Sequence, residues 1–224
     1  IDFELNTFCV EEPCFVGVND TMISSPRIDN QSSCRALLDA IEDGNRADGI
    51  NIIALFDHEE IGSNSKQGAA SIMIHDMLRR ILRNMDLSEN EIDESIYDAM
   101  LLSVDVAHAL HPNKKEKMDI TNKPVMGKGF CIKQACSQSY ATDAQAIAIL
   151  CQLCDEKGIP YQRFVNRSDS RGGSTLGSIA GTLLPVKTVD IGIPILAMHS
   201  ACELMGVRDM KALSDCVTAF FGYH

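Results

Sequence analysis

The sequence predicts an α/β fold of three layers, α/β/α, around a central mixed sheet. Three observations carry that expectation. The apolar run Ile52–Phe56 shows no polar face, as strands buried on both sides do, and Leu101–His108 repeats the theme of an apolar strand ending in charge. These runs alternate with helical patterns, the order that builds a layered sheet. Several of them also end abruptly in ionisable side chains, and ligands of open α/β sheets gather beyond the carboxyl ends of strands. The 224 residues suffice for one sizeable core, and no repeat, low-complexity stretch or linker divides them, so one domain is expected.

Taken in order, residues Glu4 to Val18 read as two short strands separated by Glu11-Glu12-Pro13. Ser24 to Asn30 reads as a polar connection containing Pro26, with Asp29 and Asn30 placed to cap a helix whose stripe is Cys34, Leu37, Leu38 and Ile41. Gly44 and Gly49 flank the exit toward the run at Ile52–Phe56, read as a buried strand. Small residues from Gly68 to Ser71 lead into a long amphipathic helix marked by Ile72, Met73, Leu78 and Ile81. A second helix spans Asp86 to Met100, opened by a capping box at Ser88 and Glu91.

Leu101–His108 is the next strand, ending in Asp105 and His108, and His111-Pro112-Asn113 breaks it. Lys114–Lys117 is a solvated loop. Lys128–Lys133 is a strand with Lys133 as its charged member. Thr142-Asp143 caps a helix running through Cys154 that Gly158-Ile159-Pro160 ends, and Tyr161–Val165 is a short strand. The turn Asp169–Gly173 precedes a small-residue helix, a place where backbone N–H groups favour anions; it lacks the GK[ST] ending of a nucleotide P-loop. Thr188–Ile193 and Pro194–Ser200 give two more strands, the second carrying His199, and a last helix covers about Asp209 to Phe221.

A net charge of -11 argues against a nucleic-acid partner, which needs a basic surface. No apolar run is long enough to span a bilayer, and no signal-peptide pattern opens the chain. The start at Ile1 rather than Met suggests a chain that is processed, trimmed or cut from something longer. Nine scattered cysteines suit reduced, buried thiols in a cytoplasmic protein better than a disulfide framework. Cys151 and Cys154 form a CxxC inside a helical pattern, with no second Cys or His pair nearby, and read as core-facing thiols.

Four places then put acids or imidazoles at a strand end or just beyond it: Asp29, Glu59-Glu60, Asp105 with His108, and His199. Glu59-Glu60 alone could be a solvated turn. Together the four suggest a cation site, and carboxylates mixed with imidazoles suit Zn²⁺, Mn²⁺ or Co²⁺ rather than Ca²⁺. Adjacent glutamates suit divided labour, one holding a metal and one moving a proton.

The segments Pro26-Arg27-Ile28-Asp29-Asn30, Phe56–Ser63, Ser103–His108 with His111-Pro112-Asn113, and Ala197-Met198-His199-Ser200 resemble, in the same order, those of the M18 metallopeptidases, the aspartyl aminopeptidases. The resemblance implies a zinc-peptidase-like fold and removal of N-terminal Asp or Glu from peptides. It implies that Asp29 bridges two zinc ions, that Glu60 and His199 complete one metal site and Asp105 belongs to the other, and that Glu59 is the general base and acid. His108 and Lys133 resemble residues that shape the pocket for an acidic side chain, and the turn at Gly172-Gly173 resembles a loop beside the active site. A packing histidine and an exposed strand lysine stay open as alternatives for His108 and Lys133.

The family's catalytic domain begins with a strand-end histidine ligand and carries an inserted dimerisation domain; neither precedes Asp29 here. The expected organisation is therefore the C-terminal portion of a catalytic domain over residues 1–224, incomplete relative to the family, from a protein that is a homo-oligomer at full length. Alternatives are an aminopeptidase of broad or different specificity, and a non-catalytic assembly or regulatory subunit or inactive fragment.

Overall fold

The computed structural model describes residues 2–44, 46–170 and 172–223. Its strands are β1 (Cys14–Val16), β2 (Met22–Ser25), β3 (Met100–His108), β4 (Phe130–Gln134), β5 (Tyr161–Val165), β6 (Lys187–Leu196) and β7 (Glu203–Gly206). Its helices are α1 (Ile28–Asp43), α2 (Met73–Arg83), α3 (Glu89–Asp98), α4 (Ala144–Lys157), α5 (Leu176–Ala180) and α6 (Val207–Phe221). Among the described residues no helix is long and apolar enough to cross a membrane.

β6 is the spine of a mixed seven-stranded sheet ordered β1-β2-β7-β6-β4-β5, with β3 beside β6. β3 runs parallel to β6 from Met100↔Lys187 to His108↔Ile195. On its other side β6 pairs antiparallel first with β4, at residues 190–192, and then with β7, at residues 195–196. The strand alternation sorts the side chains into two layers. Val104, Val106, Phe130, Ile132, Val189, Ile191, Ile193 and Ile195 meet α1, α4 and α6 in the main core. Each fully buried isoleucine there contributes about 1.5–3 kcal/mol. Ser103, Cys131, Lys133 and Asp190 belong to the opposite face, where α5 crosses β3 and β6. Gly177 makes that crossing close: a Cβ would lie 2.7 Å from Ser103 Cβ and 2.8 Å from both Asp190 oxygens. α2 and α3 pack together around Ile92, Ile96 and Leu184.

The expected three-layer α/β/α arrangement is therefore what the chain adopts, and most elements lie where the pattern puts them. The Ser88–Glu91 capping box forms, Asp143 caps α4 by accepting from Gln145 and Ala146 N–H, and Gly158 ends α4 at φ 66°. Cys154 is buried beside Cys216, with Sγ atoms 3.8 Å apart, and both thiols are free.

Several expectations need correction. Ile52–Phe56 is extended but joins no ladder among the described residues, and Leu55 is 52 % exposed. The run packs against α2 instead, lining a groove with Met73, Met77 and Ile81. Of the two strands expected in Glu4–Val18 only β1 forms; Phe3, Leu5, Phe8 and Val10 are exposed, and a strand without a partner gains no hydrogen bonds. Ser24 and Ser25, expected in a connection, belong to β2. Pro194 does not divide two strands. It sits inside β6, in the gap where the antiparallel partner changes from β4 to β7, so its missing N–H is tolerated. Asp29 does not cap α1; Arg27 holds the cap position in a left-handed conformation and no side chain bonds there. Ile1, Arg171 of the Asp169–Gly173 turn and His224 lie outside the described residues.

Candidate metal centre

Three loops deliver the site. The first leaves β2 through Pro26 and turns at Arg27, φ 59°. Asp29 and Asn30 follow with non-helical backbone, so Asp29 is free of the helix ladder although it stands at its start. Asn30 Nδ2 donates to the Val104 carbonyl at 3.1 Å and Ser33 Oγ to that of Asp105 at 3.0 Å. These bonds tie the start of α1 to β3 and hold Asp29 near Asp105.

The second loop follows the extended run 51–56. His58 turns left-handed at φ 62°, and Glu59–Ile61 form one 3-10 turn closed by Gly62 at φ 96°, whose N–H donates to Glu59 O at 2.9 Å. A Cβ at Gly68 would lie 2.2 Å from the Ser63 carbonyl, so only glycine lets this loop fold back on itself. Successive residues of a 3-10 turn point about 120° apart. Glu60 and Glu59 are thereby given different directions by local geometry alone.

The third loop leaves β6 with Ala197 at φ 58° and His199 at φ 65°. It brings His199 Nε2 to 3.2 Å from Asp29 Oδ2 and 3.2 Å from Glu60 Oε2. One donor atom from each of Asp29, Glu60 and His199 lies within 4.8 Å of the others. Two carboxylates and an imidazole converging this tightly fit a divalent transition cation.

The electrostatics agree. Burial first, then the charges of Asp105, Glu60 and Glu203, push the Asp29 carboxyl up to about 7 against the opposing pull of His199. Glu59 is pushed up to about 7 as well, by burial and then by Asp105 and Glu60, with Lys133 and His199 opposing. Carboxylates so crowded repel one another unless a proton or a cation neutralises them.

Asp105 lies beside this cluster and carries its own partner. Lys133 Nζ donates to Asp105 Oδ2 at 2.9 Å and to the Val106 carbonyl at 2.7 Å, and stands 4.7 Å from the Tyr140 ring centroid. Burial works to lower its pKa, but Asp105 and Asp190 outweigh that and hold the ammonium above its ordinary range. Lys133 is 3 % exposed. His108 ends β3 with its ring 6.4 Å from that of Phe164; burial, then Lys133 and His199, lower its pKa. His108 lines an open cavity of about 460 Å³ together with Lys114, Lys117, Arg167, Gly172 and Gly173. The structure thus joins Asp29, Glu60 and His199 in one cluster, sets Glu59 and Asp105 beside it, and places His108, Gly172 and Gly173 around a neighbouring cavity that Lys133 does not line.

Residues 1–221 match the family model described as Aminopeptidase I zinc metalloprotease (M18). The chain belongs to the M18 family. It is 42 % identical to a probable M18 family aminopeptidase 2 of Clostridium acetobutylicum over 221 residues, 99 % of this chain and 51 % of that relative. The cryo-EM structure of the Ape4 and Nbr1 complex contains a similar chain, with a TM-score of 0.86 and 32 % identity over 94 % of this chain and 41 % of that one. The M18 aminopeptidase structure from Thermotoga maritima shares the fold, with a TM-score of 0.85 and 24 % identity over 95 % and 48 % of the two chains. The M18 chain described here spans about half the length of the curated relatives it matches.

One residue of the site escapes the sequence pattern. Glu203 is 2 % exposed, and its carboxylate accepts from Asp29 N–H and His199 N–H. The sequence offers only an acid four residues beyond a strand-end histidine, and the intervening Ser200-Ala201-Cys202 carries no sign that the chain turns back into the site.

Proposed function

We propose that this M18 chain carries most of the active site of a zinc-dependent aminopeptidase that removes Asp and Glu from peptide N-termini. The convergence of Asp29, Glu60 and His199, with Glu59 adjacent, carries the reading. Asp29, Glu60 and His199 would hold one cation, with Mn²⁺ or Co²⁺ as substitutes for zinc. Asp29 and Asp105 offer two carboxylates to a second cation, which needs a further ligand; in the family that ligand is a histidine. When bound, the metal supplies Lewis acidity that polarises the scissile carbonyl and lowers the pKa of water. Glu59 would act as the general base and acid, accepting a proton from the attacking water and returning it to the leaving amine. Its direction away from Glu60 supports that division of roles.

The acidic preference rests on charge. Lys114, Lys117 and Arg167 line the cavity beside His108, Gly172 and Gly173 against one acid, Asp119; Arg167 is paired with Asp169, which leaves the two lysines as the cations that favour an acidic side chain. Lys133 adds a fixed ammonium behind Asp105, which favours a substrate carboxylate nearby. The same ion pair also favours a second reading, broad specificity, because a lysine engaged with Asp105 has less to offer a substrate. Exposed apolar residues such as Ile52, Leu55 and Ile61 support a homo-oligomer in the full-length form, and nine unpaired thiols support a cytoplasmic home.

The test compares peptides beginning with Asp, Glu and Leu, with the chain supplied with zinc and with the complementary part of an M18 catalytic domain. Faster release of Asp and Glu, abolished by Glu59→Gln, is the expected outcome. Equal rates for Leu would favour broad specificity, and no release from any peptide would contradict the enzymatic reading.

A further inference from the structure

We propose that Glu203 is a positioning residue: one buried carboxylate that holds the two loops carrying Asp29 and His199 at the separation a cation needs. The inference rests on the metal-site reading above and adds to it a residue outside the ligand set.

The geometry is specific. Glu203 opens β7, and its backbone is fixed opposite Ser25 of β2 in an antiparallel ladder. From there Oε2 accepts from the Asp29 N–H at 2.8 Å and Oε1 from the His199 N–H at 2.7 Å. Both donors are backbone groups of expected ligands, 170 residues apart in the sequence. Neither has a helix or ladder partner to supply the bond, because Asp29 stands in non-helical backbone and His199 in a left-handed turn. The bonds therefore fix the two points from which the ligand side chains depart.

The choice of glutamate also needs explaining. A buried carboxylate is costly to desolvate, and here it adds negative charge where Asp105 and Glu60 already crowd Asp29. Packing alone would be met better by Met or Leu. A glutamine could accept from one N–H, but its amide would turn N–H groups toward the other donor. Only a carboxylate presents two acceptors to two donors. Its charge, unwelcome among carboxylates alone, would be favourable with a cation between the loops. Groups that orient metal ligands from behind commonly change metal affinity about 10–100-fold when removed.

The test is Co²⁺ binding to the chelator-stripped chain, read by calorimetry and by the visible absorption of the bound ion. Glu203→Gln is compared with wild type and with Cys202→Ser, an exposed neighbour. The expected result is a 10–100-fold weaker affinity and an altered cobalt spectrum for Glu203→Gln, with Cys202→Ser unchanged. Equal affinity and an identical spectrum would overturn the proposal. Failure of wild type itself to bind Co²⁺ would instead overturn the metal-site reading on which it rests. Should Glu203→Gln not fold, amide hydrogen exchange of the metal-free wild type decides. Protected Asp29 and His199 amides are expected, and exchange at the rate of open loop amides would refute the clamp.

Discussion

Lys133 Nζ lies 2.9 Å from Asp105 Oδ2, and the two residues come from β4 and β3, the strands on either side of β6. Asp190 of β6 stands opposite Lys133 in the antiparallel register. One ammonium is thus set among carboxylates on the face of the sheet away from the main core, with 4 % of the lysine side chain exposed. Removing one partner of a buried pair costs about 3–5 kcal/mol, because the other charge is left without compensation. Lys133→Met is expected to lose about that much stability, measured by urea unfolding. A loss below about 1 kcal/mol would mean that water screens the pair.

The carboxylates of the candidate metal centre predict a pH dependence in chelator-treated protein. Asp29 and Glu59 both sit at about 7 in the fold, above the roughly 4 of an unfolded carboxylate. Between those values the folded chain holds protons that the unfolded chain has released. Stability from these groups is therefore full at low pH and falls as pH rises from about 4 to about 7. Glu59→Gln removes one titrating group and should flatten the fall. Thermal melts across that range, with and without the substitution, measure it; identical slopes would count against the crowding of charge.

Asp209, at the start of α6, organises a distant loop. It is fully buried and accepts from Gly127 N–H at 2.6 Å and Gly129 N–H at 2.8 Å. Asp209→Asn keeps the shape but turns an N–H donor toward one of these amides. The expected loss is about 1–3 kcal/mol in denaturant unfolding. A neutral substitution would show that the loop finds other partners.

The helix start at Ser88 gives a smaller, local test. Its hydroxyl accepts from Glu91 N–H while the Glu91 carboxylate accepts from Ser88 N–H. Ser88→Ala should cost about 1 kcal/mol, and the loss should be confined to stability. Any change in cation affinity would be unexpected, because α3 supplies no residue to the cluster.

Much of this molecule is legible from local patterns. Caps such as Ser88 and Asp143 work within a few residues, and the strands around β6 are announced by runs of Val and Ile. The candidate positions stand out in the sequence because charge following an apolar run is conspicuous, and Asp29, Glu60 and His199 do come together. What fails is whatever depends on a distant neighbour. Ile52–Phe56 has the composition of a strand, yet it becomes one only if another strand pairs with it. Pro194 reads as a breaker until β4 and β7 are seen to leave a gap at that point. Lys133, expected to shape a substrate pocket or else to lie exposed on its strand, is buried against Asp105 with Asp190 opposite, and Glu203 carries no local signal of the loops of Asp29 and His199 that it joins.

Asp29, Glu60 and His199 are proposed to share one cation. Zinc titration of the chelator-stripped chain by calorimetry, with the bound metal counted by elemental analysis, tests it most directly. The expected result is one tightly held zinc per chain, lost in His199→Ala and kept in Glu59→Gln. No tight zinc, two tight zincs, or undiminished binding in His199→Ala would contradict it.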